Sequence, residues 1–105
     1  MFNSQKSFPG MTTPQQNQRI IDILKPYDPQ RIGIFGSWAR GENQPGSDLD
    51  ILVRFGKTPG MIAFVGLQLA IEEALNLKVD LVSDRAILNG RVRQAIDSDL
   101  KVIYQ

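Results

Sequence analysis

With 105 residues, 42% of them hydrophobic, the chain is sized for one small domain; a domain of this size buries about 60–70% of its unfolded surface. Twelve Lys and Arg against eleven Asp and Glu leave a net charge of +1, so no global field draws the chain to duplex nucleic acid or an anionic membrane. Cysteine and histidine are both absent, which excludes disulfides, thiolate nucleophiles, iron–sulfur clusters, Ser-His-Asp triads and histidine-bound metals. What remains is carboxylates, hydroxyls, Lys, Arg, Tyr, backbone amides and an oxygen-ligated metal.

Residues 1–13 are polar, carry Pro9 and Gly10 and have no period, as expected of a tail or an arm; residues 14–105 are expected to form a single domain. The first ten residues lack the apolar stretch of a signal peptide, and the longest apolar run, Met61 to Leu67, is far short of the roughly 18–20 residues that span a bilayer. A soluble, cytoplasmic protein with no membrane contact is therefore expected. Thr13-Pro14 reads as a cap and first helical residue, opening a helix to about Leu24 that Pro26, Asp28 and Pro29 end. Arg31 to Phe35 is a short strand stopped by Gly36, and Ser37 to about Arg40 opens a short helix behind it. Gly41 to Gly46 is a loop, and Asp48 to Phe55 a well-buried strand. Thr58-Pro59 is a second cap-and-proline start, for a helix to about Leu75. Lys78 to Val82 is a third strand. Ser83 or Asp84 is expected to cap a last helical region through about Ile96, before a terminal strand from Leu100 to Tyr104. Alternating helices and strands predict an α/β domain, a three- or four-stranded mixed sheet flanked by helices. The Phe35 and Asp48 strands should be antiparallel neighbours.

Three features carry chemistry. Gly36-Ser37 stands where a strand turns into a helix, a place where backbone amides can meet a phosphate. Alone, the pair is read as a strand-ending turn with a serine cap. Asp48 and Asp50 open an apolar strand and share a face because the side-chain period is two; a solvated strand end is the competing reading. Asp80 sits among good β formers in Lys78-Val79-Asp80-Leu81-Val82. Two carboxylates about 4 Å apart repel by roughly 4 kcal/mol at an effective dielectric near 20, so three together would hold a proton or take a hard cation such as Mg²⁺. Together, these parts suit metal-assisted attack on a nucleotide phosphate, with two metals bridged by carboxylates.

The string Gly36-Ser37, ten residues, then Asp48-Leu49-Asp50, followed by Lys78-Val79-Asp80-Leu81-Val82, resembles the signature of the DNA polymerase β nucleotidyltransferase superfamily. It is similar above all to its minimal branch, small proteins paired as antitoxins with HEPN-domain toxins, and the likeness runs from about Gln18 to Tyr104. The resemblance implies that fold, with Asp48, Asp50 and Asp80 as catalytic metal ligands (two Mg²⁺, with Mn²⁺ as an alternative). Asp80 would also orient or deprotonate the acceptor, and Gly36 and Ser37 would hold the β- and γ-phosphates. It also implies ATP as donor, AMP as the transferred group, and a tyrosine hydroxyl of a HEPN-type toxin as acceptor. Arg40 is open to two roles, contact with the triphosphate or a pair with Glu42 or an Asp that locks the loop. Ser47 is assigned a structural hydrogen bond and Trp38 a packing role, with stacking on the base as its alternative. Arg85, Arg91, Arg93 and Lys101 are expected to be a solvated face, and nucleic acid is not expected as a partner. The acceptor should bind in trans or across an interface, in a homodimer or hetero-oligomer. Two rival functions stand: a steric antitoxin without chemistry, and transfer to a small-molecule hydroxyl.

Overall fold

The computed structural model describes residues 11–105. Most of the expected 1–13 tail therefore lies outside the described residues. Of its last three, Met11 packs against the core and Thr12 is buried with its hydroxyl bonded to the Asn17 side chain. Thr13 caps helix α1 (Pro14–Leu24) through a reciprocal box: its Oγ1 accepts from Gln16 N at 3.1 Å, and its own N–H donates to Gln16 Oε1 at 2.9 Å. Ile20, Ile21 and Leu24 give α1 its buried stripe. Each such side chain contributes about 1.5–3 kcal/mol on burial.

The chain continues through β1 (Pro29–Phe35), α2 (Gly36–Arg40), β2 (Leu49–Phe55), α3 (Met61–Leu75), β3 (Val79–Ser83), α4 (Gly90–Asp99) and β4 (Lys101–Tyr104). The strands form one mixed sheet in the order β3-β2-β1-β4. β1 is antiparallel to both β2 and β4, and β2 is parallel to β3. Alternation divides the sheet into two faces. Ile32, Ile34, Leu49, Ile51, Val53, Phe55 and Leu81 form a buried face that α1 and α3 cover, and Phe64 of α3 meets the Phe55 ring edge-on at 6.2 Å. On the other face Leu100 lies over Gly33, where a Cβ would come within 2.9 Å of its Cγ, and Ile96 of α4 is buried.

The edge strand β3 is closed by its own crossover helix. Glu72 Oε2 accepts from Val79 N at 2.9 Å and Gln68 Oε1 from Leu81 N at 3.2 Å, so two outward-facing amides are not left to pair with another strand.

Strand bounds shift by one or two residues, and two helix starts differ from expectation. Helix α3 starts at Met61 behind Gly60, whose carbonyl accepts the first helical bond from Phe64 N, and Pro59 is buried ahead of it. Helix α4 starts at Gly90 and runs to Asp99, with Asn89 Oδ1 accepting from Arg91 N and Val92 N. Asp84 opens only a single 3₁₀ turn, Asp84–Ala86. Its carboxylate is taken by arginines and cannot cap a helix. Among the described residues no helix is long and apolar enough to cross a membrane.

Candidate active site

The site begins where β1 ends. Phe35 pairs in register with Asp50, so the chain leaves β1 directly beside the second aspartate. Gly36 then adopts φ +73°, and a Cβ there would overlap Asp50 Oδ2 and lie 3.1 Å from its Cγ. Both the left-handed backbone and the carboxylate over it call for glycine. Ser37, half-buried, follows in the first turn of α2. That helix closes at Gly41, whose N–H reaches Ser37 O and Trp38 O.

Asp50 is the second residue of β2 and Asp80 the second of β3, and the parallel register sets them opposite each other. Asp48 lies one residue before β2 and is exposed, as is Asp80; Asp50 is half-buried. Ser47 shapes the approach, its Oγ accepting from Gln44 N at 2.9 Å. Burial, with the charges of Asp80 and then Asp48 added, raises the Asp50 carboxyl to about 6, and Arg40 opposes the rise. Among the described residues these three carboxylates accept no side-chain hydrogen bond and join no ion pair. Nor do three acidic groups converge to within ligand distance of one point. In donor chemistry, though not as a preassembled site, three unpaired and mutually repelling carboxylates suit a hard divalent cation.

Arg40 is held in two ion pairs, Nε to Glu42 Oε1 at 2.9 Å and Nη1 to Asp99 Oδ2 at 2.6 Å. Both bonds raise its pKa further. The loop-locking role is thus the one the structure displays, with Asp99 of α4 as a second acceptor that its distance in sequence concealed. Trp38 packs against the core, as expected.

One cluster escaped the sequence. Arg93, expected on a solvated face with Arg85, Arg91 and Lys101, instead grips Asp84: Nη1 bonds Oδ1 at 3.0 Å and Nη2 bonds the Asp84 carbonyl at 2.7 Å. Arg54 Nε adds a bond to Oδ2 at 3.2 Å, and Arg31 stands at 4.0 Å. Burial pushes the Asp84 carboxyl up, but bonds from Arg93 and Arg54 outweigh it and the net shift is downward. Arg85, Arg91 and Lys101 are exposed. No local pattern marked Asp84, because its partners come from β1, β2 and α4.

Residues 18–105 match the family "Polymerase beta, Nucleotidyltransferase". A provisionally named protein adenylyltransferase of Methanocaldococcus jannaschii is 44% identical over 79 residues, 74% of this chain and 81% of that protein. Protein adenylyltransferase MntA of Thermococcus cleftensis is 38% identical over 86 residues, 77% and 87% respectively. Among solved structures, a toxin–antitoxin crystal structure with AMP-PNP superposes with TM-score 0.74 at 30% identity, covering 84% of this chain and 72% of that one. A tri-AMPylated Shewanella oneidensis HEPN toxin in complex with an MNT antitoxin gives 0.67 at 27% identity, covering 86% and 70%. The expected fold is the observed one. The chain belongs to the polymerase β nucleotidyltransferase family, and as an enzyme it is a nucleotidyltransferase.

Proposed function

We propose that this protein transfers AMP from ATP to a tyrosine hydroxyl of a HEPN-type partner and acts as the antitoxin of that pair. The observation that carries the reading is the register: Asp50 opposite Asp80, with Gly36 and Ser37 beside them at the same end of the sheet. Similarity to an adenylyltransferase MntA and to toxin–antitoxin structures with AMP-PNP or an AMPylated toxin supports ATP and such a partner.

In this reading Gly36 and Ser37 bind the β- and γ-phosphates, the amide and hydroxyl donating to phosphate oxygens. Asp48, Asp50 and Asp80 would hold divalent cations, Mg²⁺ or Mn²⁺, whose charge offsets their repulsion and the negative charge of departing pyrophosphate. The acceptor oxygen attacks the α-phosphorus, the bond to the β-phosphate oxygen breaks, and pyrophosphate leaves. Asp80, exposed at the sheet end, takes the hydroxyl proton. Arg40 keeps the loop after α2 in place through Glu42 and Asp99 and lends positive charge to Asp50.

The test is transfer with ATP labelled on the α- or the γ-phosphate, with the cognate HEPN-domain protein and Mg²⁺. Label from the α-position on that protein, lost with Asp48→Asn and with EDTA, is the expected result. The loss should be roughly 100- to 1,000-fold, the scale for removing a group that stabilises developing charge. Label from the γ-position alone would mean kinase chemistry and sink the proposal. Full neutralisation by the Asp48→Asn, Asp50→Asn double variant would instead mean a steric antitoxin.

A further inference from the structure

Helix α3 carries two apolar faces, and the fold uses one. Phe64, Leu67 and Ile71 turn toward the sheet. On the opposite side Ile62, Val65, Gly66, Leu69, Ala70 and Glu73 recur at the i, i+3, i+4, i+7 spacing of one helix face, and all six are exposed. Ile62 is 90% and Leu69 56% exposed, with Met61 at 84% beside them. Contiguous apolar surface of this kind on a water-facing helix marks an interaction site. Gly66 points the same way. A mid-helix glycine costs about 1 kcal/mol relative to alanine, yet a Cβ there would meet nothing within 4 Å in its own fold. Nothing in the described fold requires a glycine at this position, whereas a second helix crossing closely would.

We propose that this face is the contact between two copies of the chain, with the α3 helices antiparallel about a two-fold axis between Val65 and Gly66. The pattern is self-complementary, as an isologous interface requires. In that register Ile62 opposes Leu69 of the other copy, and Val65 opposes its Gly66, large against small at the centre. Glu73 is carried past the start of the other α3, toward the lead-in segment that holds Lys57 and Thr58. Glu73 and Lys57 are both exposed and neither has an ion pair among the described residues. The start of α3 has no side-chain cap and no acid in its first turn, so a carboxylate from the other copy is favourable there. Because α3 covers the sheet face opposite Asp50 and Asp80, such a dimer leaves both candidate active sites open.

Sedimentation of the full chain across micromolar concentrations, without a partner protein, tests this. Wild type should be dimeric. Gly66→Leu should weaken the dimer about tenfold or more, while circular dichroism holds and the melting temperature holds when both proteins are read at a concentration where they are monomeric, since the side chain enters open space. Lys57→Glu should weaken it, and Lys57→Glu with Glu73→Lys should restore it. A monomer at every concentration overturns the proposal and leaves the face to residues 1–10 or to a different protein. A dimer indifferent to Gly66→Leu and Ile62→Glu, or a charge-swap double that does not recover, also overturns it.

Discussion

At the scale of single residues, Asp50 is in conflict with the fold that holds it. Its carboxyl is pushed to about 6 by burial and by the charges of Asp80 and Asp48, so above that pH the metal-free protein carries an ionised group that its surroundings disfavour. The unfolded chain ionises near 3.8. Between these values the native state binds a proton the unfolded state lacks, and stability falls as pH rises. Asp50→Asn should therefore raise the stability of metal-free protein at pH 7.5 by on the order of 1 kcal/mol, the shift being discounted for partial exposure. The gain should shrink below pH 5 as wild-type Asp50 becomes protonated. Melting curves in EDTA at the two pH values check this. No gain at pH 7.5 would mean that the strain is absent. The same variant should lose transfer, since it removes one of the candidate ligands. The repulsion among the three aspartates was anticipated from the sequence, whereas the burial that leads the Asp50 shift and the overlap that a Gly36 side chain would suffer were not legible from D-x-D or G-S. Both arise where β1 and β2 meet, 14 residues apart in sequence.

At the scale of elements, Asp84 ties four of them together. It sits at the end of β3 and draws Arg54 from β2 and Arg93 from α4, with Arg31 of β1 nearby. Asp84 is buried while Arg54 and Arg93 stay partly exposed, so water screens the pairs and resolvates the arginines when the acid is lost. Asp84→Asn should then cost about 1–2 kcal/mol, read as a lowered denaturation midpoint with an unchanged slope. The Asp84 carboxyl is depressed below 3.8, so its contribution is complete above that pH and is lost as pH falls through the lower native value. The wild-type advantage over Asp84→Asn should vanish in acid, and one that persists there would contradict this origin. The cluster also explains the late start of α4, since the acid expected to cap it is occupied. Element types and order were legible because Ile, Val and Leu recur at spacings that match one structure each. Cap positions were not, because several Ser, Asp and Asn residues compete and only tertiary partners choose among them.

For the molecule as a whole, the two faces of the sheet differ in what they carry. One face builds the core with α1 and α3, and the end of the other carries Asp48, Asp50 and Asp80. Among the described residues every strand belongs to one sheet, and in the proposed reaction the acceptor is carried by another protein. An acceptor bound in trans must bring its own orientation, and positioning a hydroxyl is worth several orders of magnitude in rate. Turnover on a free hydroxyl compound should therefore lie about 100-fold or more below turnover on the cognate partner. Labelled-ATP assays with tyrosine amide, small polyhydroxyl compounds and the partner protein compare them directly. Equal rates would favour the small-molecule reading.

What the sequence determined by itself was local and periodic. Thr13-Pro14 placed a helix start, Gly36-Ser37 a strand-to-helix turn, and the alternation of Asp48, Leu49, Asp50 and Ile51 placed two acids on one face. The spacing of those motifs carried the family likeness, since a nucleotide site of this kind is read from short segments. Only the tertiary structure decided which distant groups meet. Strand register set Asp80 against Asp50, helix packing gave Arg40 to Asp99 and Arg93 to Asp84, and the placement of α3 left one of its apolar faces uncovered. These outcomes depend on how elements dock, and docking is settled by the summed burial of the core rather than by any residue's neighbours in the chain.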